Sequence, residues 1–209
     1  MVGRIIETEA DVAEGAAWLA ARDAGLAQAL AVCGQPPLRR RPDGFAALRD
    51  VICGQMVSTA SAAALIARLD KAGLTAPSAV RAAGAAGLLA CGLSRAKARA
   101  LLRIAESGFD FRALRAVPDA DVQARLIALP GVGRWTAEIY ALTALGRADV
   151  FAPGDLALQE AARLLYALPD RPAPRALAAR AEAWSPWRAV AARLLWAYYR
   201  AARKREGLG

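Results

Sequence analysis

The chain has 209 residues, 56% of them hydrophobic, and a formal net charge of +9 at neutral pH. That length buries a sizeable core as one domain or as two small lobes, and the positive excess points to a polyanionic partner, of which nucleic acid is the commonest. There is no histidine, which excludes Ser-His-Asp triads, histidine zinc sites and imidazole acid–base catalysis.

Nearly every segment carries helical rather than alternating periodicity. Asp11 is expected to cap a helix running to about Ala31, broken by Cys33-Gly34-Gln35-Pro36-Pro37. Asp43-Gly44 starts a helix with Phe45, Leu48, Val51 and Ile52. A second apolar run follows Ser58-Thr59 and stops near Lys71-Ala72-Gly73. Thr75-Ala76-Pro77-Ser78 opens a short helix to about Ala83, and another passes through Leu88-Leu89 to Cys91-Gly92. Ser94 caps a helix that ends at Ser107-Gly108. After Pro118, a helix over 121–129 leads into Leu129-Pro130-Gly131-Val132-Gly133, and another runs from Trp135 to about Leu145. Asp155 opens a helix to Leu168, a further one begins near Arg175, and Ser185-Pro186 starts the last, with serine as cap and proline in the first turn. The expected fold is all-α.

Cys33, Cys53 and Cys91 lack CxxC spacing, so neither a disulfide framework nor an iron–sulfur site is supported, and reduced thiols in a cytoplasmic protein are expected. The N-terminal segment, with Arg4, Glu7, Glu9 and Asp11, has no signal-peptide core, and no run approaches the ~18 apolar residues that span a membrane. Lysine occurs only at 71, 97 and 204, which leaves few amines for Schiff-base chemistry.

The chemistry concentrates in 129–155. Gly131 and Gly133 bracket Val132 in a turn that feeds a helix N-terminus, where free main-chain N–H groups suit a phosphate, and Arg134 and Thr136 add donors. Phe151-Ala152-Pro153-Gly154-Asp155 then places one carboxylate at the next helix start. On the residues alone Asp155 reads better as an N-cap worth ~1 kcal/mol than as a catalytic acid, although a carboxylate fixed at a helix start is immobile and the helix dipole favours its ionised form.

The run Leu129–Ala137 resembles the hairpin of the helix-hairpin-helix DNA glycosylases, and its distance to Asp155 is similar to that family's hairpin-to-aspartate spacing. Ile52-Cys53-Gly54-Gln55-Met56-Val57-Ser58, Gly92-Leu93-Ser94-Arg95-Ala96-Lys97-Ala98 and Trp184-Ser185-Pro186-Trp187-Arg188 extend the resemblance over roughly residues 40–200, in the family's order. The group most resembled is DNA-3-methyladenine glycosylase II. The resemblance implies excision of alkylated bases from damaged double-stranded DNA, with Asp155 stabilising the cationic sugar or orienting water. Gly131, Val132, Gly133, Arg134, Thr136, Gln55, Met56 and Ser58 would contact DNA, with Gln55 or Met56 filling the gap left by the flipped base. Trp135, Trp196, Ile139 and Tyr140 would form the base pocket, Ile139 replacing an aromatic of some relatives, whereas Trp184 and Trp187 read as packing residues. The carbonyls of Ile127, Leu129 and Val132 would hold a monovalent cation, Na+ or K+, with no other cofactor required.

Two departures narrow the expectation. Bifunctional relatives carry a lysine where this chain has Trp135, and many relatives carry a four-cysteine cluster near the C-terminus, where this chain has none. A monofunctional, monomeric glycosylase without a cluster is expected, resembling the compact members that lack an extra N-terminal β-rich domain. One lobe would span 44–147 and the other 1–43 with 148–209, the base lying in the cleft between them. A non-catalytic helix-hairpin-helix DNA-binding protein, a glycosylase for oxidised or mismatched bases, and a helical scaffold are the competing readings.

Overall fold

The computed structural model describes residues 2–205. Among them the chain forms eleven α-helices and two short 3-10 turns, and the sole extended pairing is an isolated antiparallel bridge between Ile5 and Arg147. The fold is all-α, and no helix of the described residues is long and apolar enough to cross a membrane.

The capping residues account for most helix starts. Ser58 begins α4 (Thr59–Lys71), Ser94 begins α6 (Arg95–Glu106) and Asp155 begins α9 (Leu156–Leu165), each with its side chain accepting a main-chain N–H of the first turn. α3 (Phe45–Gly54) starts at Gly44 without a side-chain cap. α5 (Pro77–Ala90) contains the expected interruption as a kink at Gly84, whose φ is +59°. α7 (Asp119–Ile127), α8 (Arg134–Thr143) and α10 (Pro174–Ala181) lie close to their expected places.

Two expectations fail for identifiable reasons. The single helix expected over 11–31 is two, α1 (Glu9–Ala20) and α2 (Ala24–Cys33). Asp11 is not the first cap but the third helical residue of a capping box opened by Thr8, and Asp23 ends the continuity by capping α2. Ser185 does not cap the last helix either. Its hydroxyl donates to Asp149 at 2.8 Å, the Ser185–Pro186 peptide is cis, and α11 spans Arg188–Arg205.

The chain divides into two compact units. The first comprises residues 41–145 and holds α3 to α8. Its centre is α8, where Thr136, Ala137, Glu138 and the run from Tyr140 to Thr143 are buried against α3 and α7. The second joins residues 3–40 to the segment from 146 onward. Its centre is α11, in which Ala189, Val190, Ala191, Ala192, Arg193, Leu194 and Leu195 are wholly enclosed, packed on α1, α2 and α9. Arg193 donates to the carbonyls of Leu38 and Ala189, both at 2.8 Å, and its burial lowers its pKa to about 10.

The boundaries fall at 41 and 145 rather than 44 and 147, and hydrogen bonds explain both. Arg41 N–H donates to Thr143 O at 3.0 Å within the first unit. Residues 146–148 pair instead with the N-terminal segment, through Ile6 N–H to Gly146 O at 2.7 Å and Ala148 N–H to Arg4 O at 3.0 Å. A Cβ at Gly146 would lie 2.6 Å from Ile6 O, and its φ is +70°, so glycine is required there.

Asp23 ties the second unit together. It caps α2 through Leu26 N–H, and it also accepts the Tyr166 hydroxyl at 3.0 Å and the Trp184 indole N–H at 2.9 Å. Burial and the neighbouring carboxylate raise the Tyr166 pKa, so the phenol keeps the proton it donates. Asp23→Ala is expected to cost about 2–4 kcal/mol in denaturant unfolding, because it removes a cap and strands two donors. Asp23→Asn, which retains the cap, is expected to cost about half of that.

Candidate active site

In the first unit α7 ends at Ile127, and Leu129 to Gly133 turn the chain into α8. Val132 N–H donates to Leu129 O at 3.2 Å, closing the turn. Gly131 has φ +75°, and a Cβ there would sit 2.6 Å from the Ala100 methyl of α6, so both conformation and space demand glycine. Gly133 is different: with φ −92° and ψ 177° its backbone is open to any residue, and a Cβ would meet nothing within 4 Å. Its missing side chain clears the outer face of the hairpin rather than permitting the turn. Gly133 is also the N-cap of α8 and offers no side-chain acceptor, so the first-turn N–H groups are not capped by it.

The other expected contact residues separate into surface and interior. Arg134 is exposed and donates from Nε to Glu138 Oε1 at 2.8 Å, one turn along α8. Glu138 is buried; its enclosure raises its pKa and the guanidinium opposes that rise. Val132 points inward and can contribute only through its main chain. Thr136 is 2% exposed, and its hydroxyl accepts the Gln55 amide at 2.9 Å. Its side chain is therefore an internal acceptor and not a donor to DNA.

Gln55, one of the two expected gap-filling candidates, is turned toward the hairpin. Its Nε2 donates to Gly131 O at 3.0 Å as well as to Thr136, strapping the end of α3 to the hairpin. The neighbouring Met56 is 98% exposed at φ +56°, held out from the fold. Ser58 is exposed, with its oxygen accepting Ser61 N–H at 3.1 Å as the cap of α4.

Of the expected pocket residues on α8, Trp135 and Ile139 are half-buried and lie one turn apart. Tyr140 does not belong with them. It is 0% exposed, its hydroxyl accepts Gly44 N–H at 2.9 Å, and its ring lies 6.0 Å from that of Phe111. Burial raises its pKa well above the usual tyrosine range. The 100° step between residues turns Tyr140 away from the Trp135 face and into the core.

In the second unit Asp155 stands at the N-terminus of α9. Its Oδ1 accepts Ala157 N–H and Leu158 N–H, both at 3.0 Å, and the indole N–H of Trp196 at 3.2 Å. The approach to Asp155 is fixed by the buried Gln159, whose amide donates to Pro153 O at 2.8 Å. Trp196 comes from α11 and is half-buried, and the Arg39 guanidinium lies 5.4 Å from its ring centroid. Trp184 and Trp187 are buried, in packing positions as expected. Leu156, next to Asp155, is 60% exposed and was not anticipated. The buried face of α9 is carried by Leu158, Ala161, Ala162 and Leu165, which leaves Leu156 off that face. That mismatch in period was the available signal.

Among the described residues no group of histidine, cysteine, aspartate and glutamate side chains could hold a metal ion. The first unit thus offers a half-buried indole, an exposed methionine and a glycine hairpin that enters α8 without a side-chain cap, and the second offers one fixed carboxylate and a second half-buried indole.

The family model for the HhH-GPD superfamily base excision DNA repair protein matches residues 50–188. DNA-3-methyladenine glycosylase 2 of Escherichia coli (strain K12) is 31% identical over 159 residues, covering 69% of this chain and 54% of that relative. The crystal structure of a DNA-3-methyladenine glycosidase from Bacillus halodurans aligns with a TM-score of 0.71 at 30% identity, covering 90% of this chain and 89% of that one. The Schizosaccharomyces pombe 3-methyladenine DNA glycosylase (Mag1), solved in complex with abasic DNA, aligns with a TM-score of 0.80 at 24% identity over 88% of this chain and 95% of that one. The chain spans from 14% to about half the length of the curated relatives it matches. The hairpin, the spacing to Asp155 and the all-helical fold thus coincide with a match over two thirds of the sequence, and the chain belongs to the HhH-GPD superfamily of base excision DNA repair proteins.

Proposed function

We propose that this protein is a monofunctional DNA glycosylase that releases alkylated purines from double-stranded DNA by hydrolysis of the N-glycosidic bond. The observation that carries the reading is the Asp155 carboxylate, oriented through Oδ1 by two main-chain N–H groups and the Trp196 indole. As the glycosidic bond breaks, the departing purine takes the bonding electrons and the sugar becomes cationic. Asp155 stabilises that cation or orients the water that adds to it, and the products are free base and an abasic sugar. Alkylation at N3 or N7 makes the purine a better leaving group, so one carboxylate serves where sugar hydrolysis ordinarily employs two.

The remaining residues support the same reading. Trp135 stands where bifunctional relatives carry a lysine, and Lys97 Nζ is engaged by the carbonyls of Cys53 and Gln55, so neither supplies a free amine for a lyase step. The half-buried indoles of Trp135 and Trp196 are each suited to stack on an electron-poor purine. The first turn of α8, whose N-cap Gly133 supplies no side-chain acceptor, suits a backbone phosphate together with Gly131, and Met56 is the apolar side chain that would fill the vacated stack. The main-chain oxygens of Ile127, Leu129 and Val132 would be the donors to a monovalent cation, which would add positive charge beside that phosphate. The protein would act as a monomer on duplex DNA carrying a damaged base.

Asp155→Asn tests the reading directly. Asparagine caps a helix as well as aspartate does, so the fold is retained. Release of 7-methylguanine from methylated duplex is expected to fall by at least ~100-fold, with duplex affinity unchanged. Wild-type protein that binds the duplex but releases no base would instead indicate a DNA-binding module. Trp196→Phe keeps an aromatic face and removes the donor to Asp155. A roughly tenfold drop in single-turnover rate, with little change in duplex affinity, is expected from the loss of one charge-assisted hydrogen bond.

A further inference from the structure

Lys97 lies in the first turn of α6, directly behind the Ser94 cap. Its ammonium donates to Cys53 O at 3.0 Å and to Gln55 O at 2.8 Å. Both acceptors belong to the end of α3, where carbonyls have no partner within the helix and the dipole favours a cation. Lysine suits the position, because a compact point charge with rotatable donors can divide between two carbonyls of one turn. The Cys53 thiol beside it is neutral, since burial raises its pKa to about 11.

The same turn is held from its other side. Gln55 sends its amide to Gly131 O and Thr136 Oγ1, and Ser58 closes the connection as the cap of α4. Only Met56 and Val57 lie between these anchors. Met56 adopts φ +56°, a region that L side chains rarely occupy, and leaves a large apolar side chain 98% exposed. Neither a strained φ nor an exposed apolar side chain stabilises the folded chain, which points to a role outside the fold for Met56.

We propose that Lys97 is a positioning residue for base extrusion: its hold on the Cys53 and Gln55 carbonyls fixes the turn that presents Met56 to the duplex. This role rests on Met56 filling the vacated stack. The ammonium holds the main chain, the Gln55 amide fixes its register against the hairpin, and Met56 projects outward from the turn. Three stretches distant in sequence, 52–58, 92–98 and 129–137, are thereby joined by hydrogen bonds within the first unit.

The test compares Lys97→Met, which keeps the apolar stem, with Lys97→Arg, Met56→Ala and the double variant Lys97→Met/Met56→Ala. One readout is the fluorescence of 2-aminopurine placed opposite a tetrahydrofuran abasic analogue, which rises when the stack is entered and needs no catalysis. The other is single-turnover release of 7-methylguanine paired with cytosine against 7-methylguanine mispaired with thymine, where flipping costs less. Lys97→Met and Met56→Ala are both expected to abolish most of the fluorescence rise and to slow release from the matched pair ~10-fold more than from the mispair. Lys97→Arg should restore most of the signal, and the double variant should be no worse than Met56→Ala. If Met56→Ala gives the split and Lys97→Met slows both substrates equally with normal fluorescence, Lys97 is only structural and the proposal fails. If Met56→Ala leaves the fluorescence unchanged, the gap-filling role itself fails and takes the positioning role with it.

Discussion

Three hydrogen-bond donors meet on one oxygen of Asp155, and the rest of the second unit is organised so that they can. Two of the donors come from the start of α9 and cost nothing extra, since those N–H groups need an acceptor in any case. The third comes from Trp196 on α11, whose stretch 189–195 is fully enclosed. The carboxylate therefore inherits its orientation from the packing of α9 on α11, and Gln159 removes slack from the Pro153–Gly154 approach. An N-cap is worth ~1 kcal/mol by itself. An acid already aimed before the substrate arrives requires no reorganisation as charge develops, and this is where electrostatic catalysis gains most. Capping and the proposed catalysis are thus one arrangement with two consequences.

The first unit follows the same logic with different groups. Its hairpin depends on Gly131, which has both a left-handed backbone and no room for a Cβ beside Ala100. Around it, side chains that look suited to DNA are instead committed inward. Thr136 and Gln55 bind each other, and Glu138 draws Arg134 back along α8. What faces outward is main chain, the exposed Arg134 and Ser58, and one methionine that is almost fully exposed. Such a surface is suited, in the function proposed, to hold a phosphate backbone and enter a base stack without reading base edges.

The helices were legible in the sequence wherever a local rule governed them. Ser58, Ser94 and Asp155 cap helices because a short oxygen side chain before an apolar period does so irrespective of tertiary context. The break between α1 and α2 was hidden, because apolar spacing continues across it and Asp23 earns its place through Tyr166 and Trp184, far away in the chain. Ser185-Pro186 carried a helix-start pattern that the demand of Asp149 for a donor overrode. Asp155, Trp135 and Trp196 could be nominated from spacing and resemblance. The turn of Tyr140 away from Trp135 follows from its offset around the helix, whereas the inward commitment of Thr136 and Gln55 could not be read, because burial decides which of two adjacent polar residues is satisfied internally and which faces water. Leu156 and Lys97 were missed for the complementary reason: one is an apolar residue left outside, the other a charge drawn inward onto carbonyls.

The central claim is that one fixed carboxylate, without an amine, performs base release. It is tested most directly by the state of the DNA strand after reaction with duplex containing 7-methylguanine, in the presence of borohydride. The account predicts free 7-methylguanine, a strand that stays intact until alkali cleaves it at the abasic site, and no protein–DNA adduct. Strand cleavage without alkali, or a borohydride-trapped covalent complex, would contradict it.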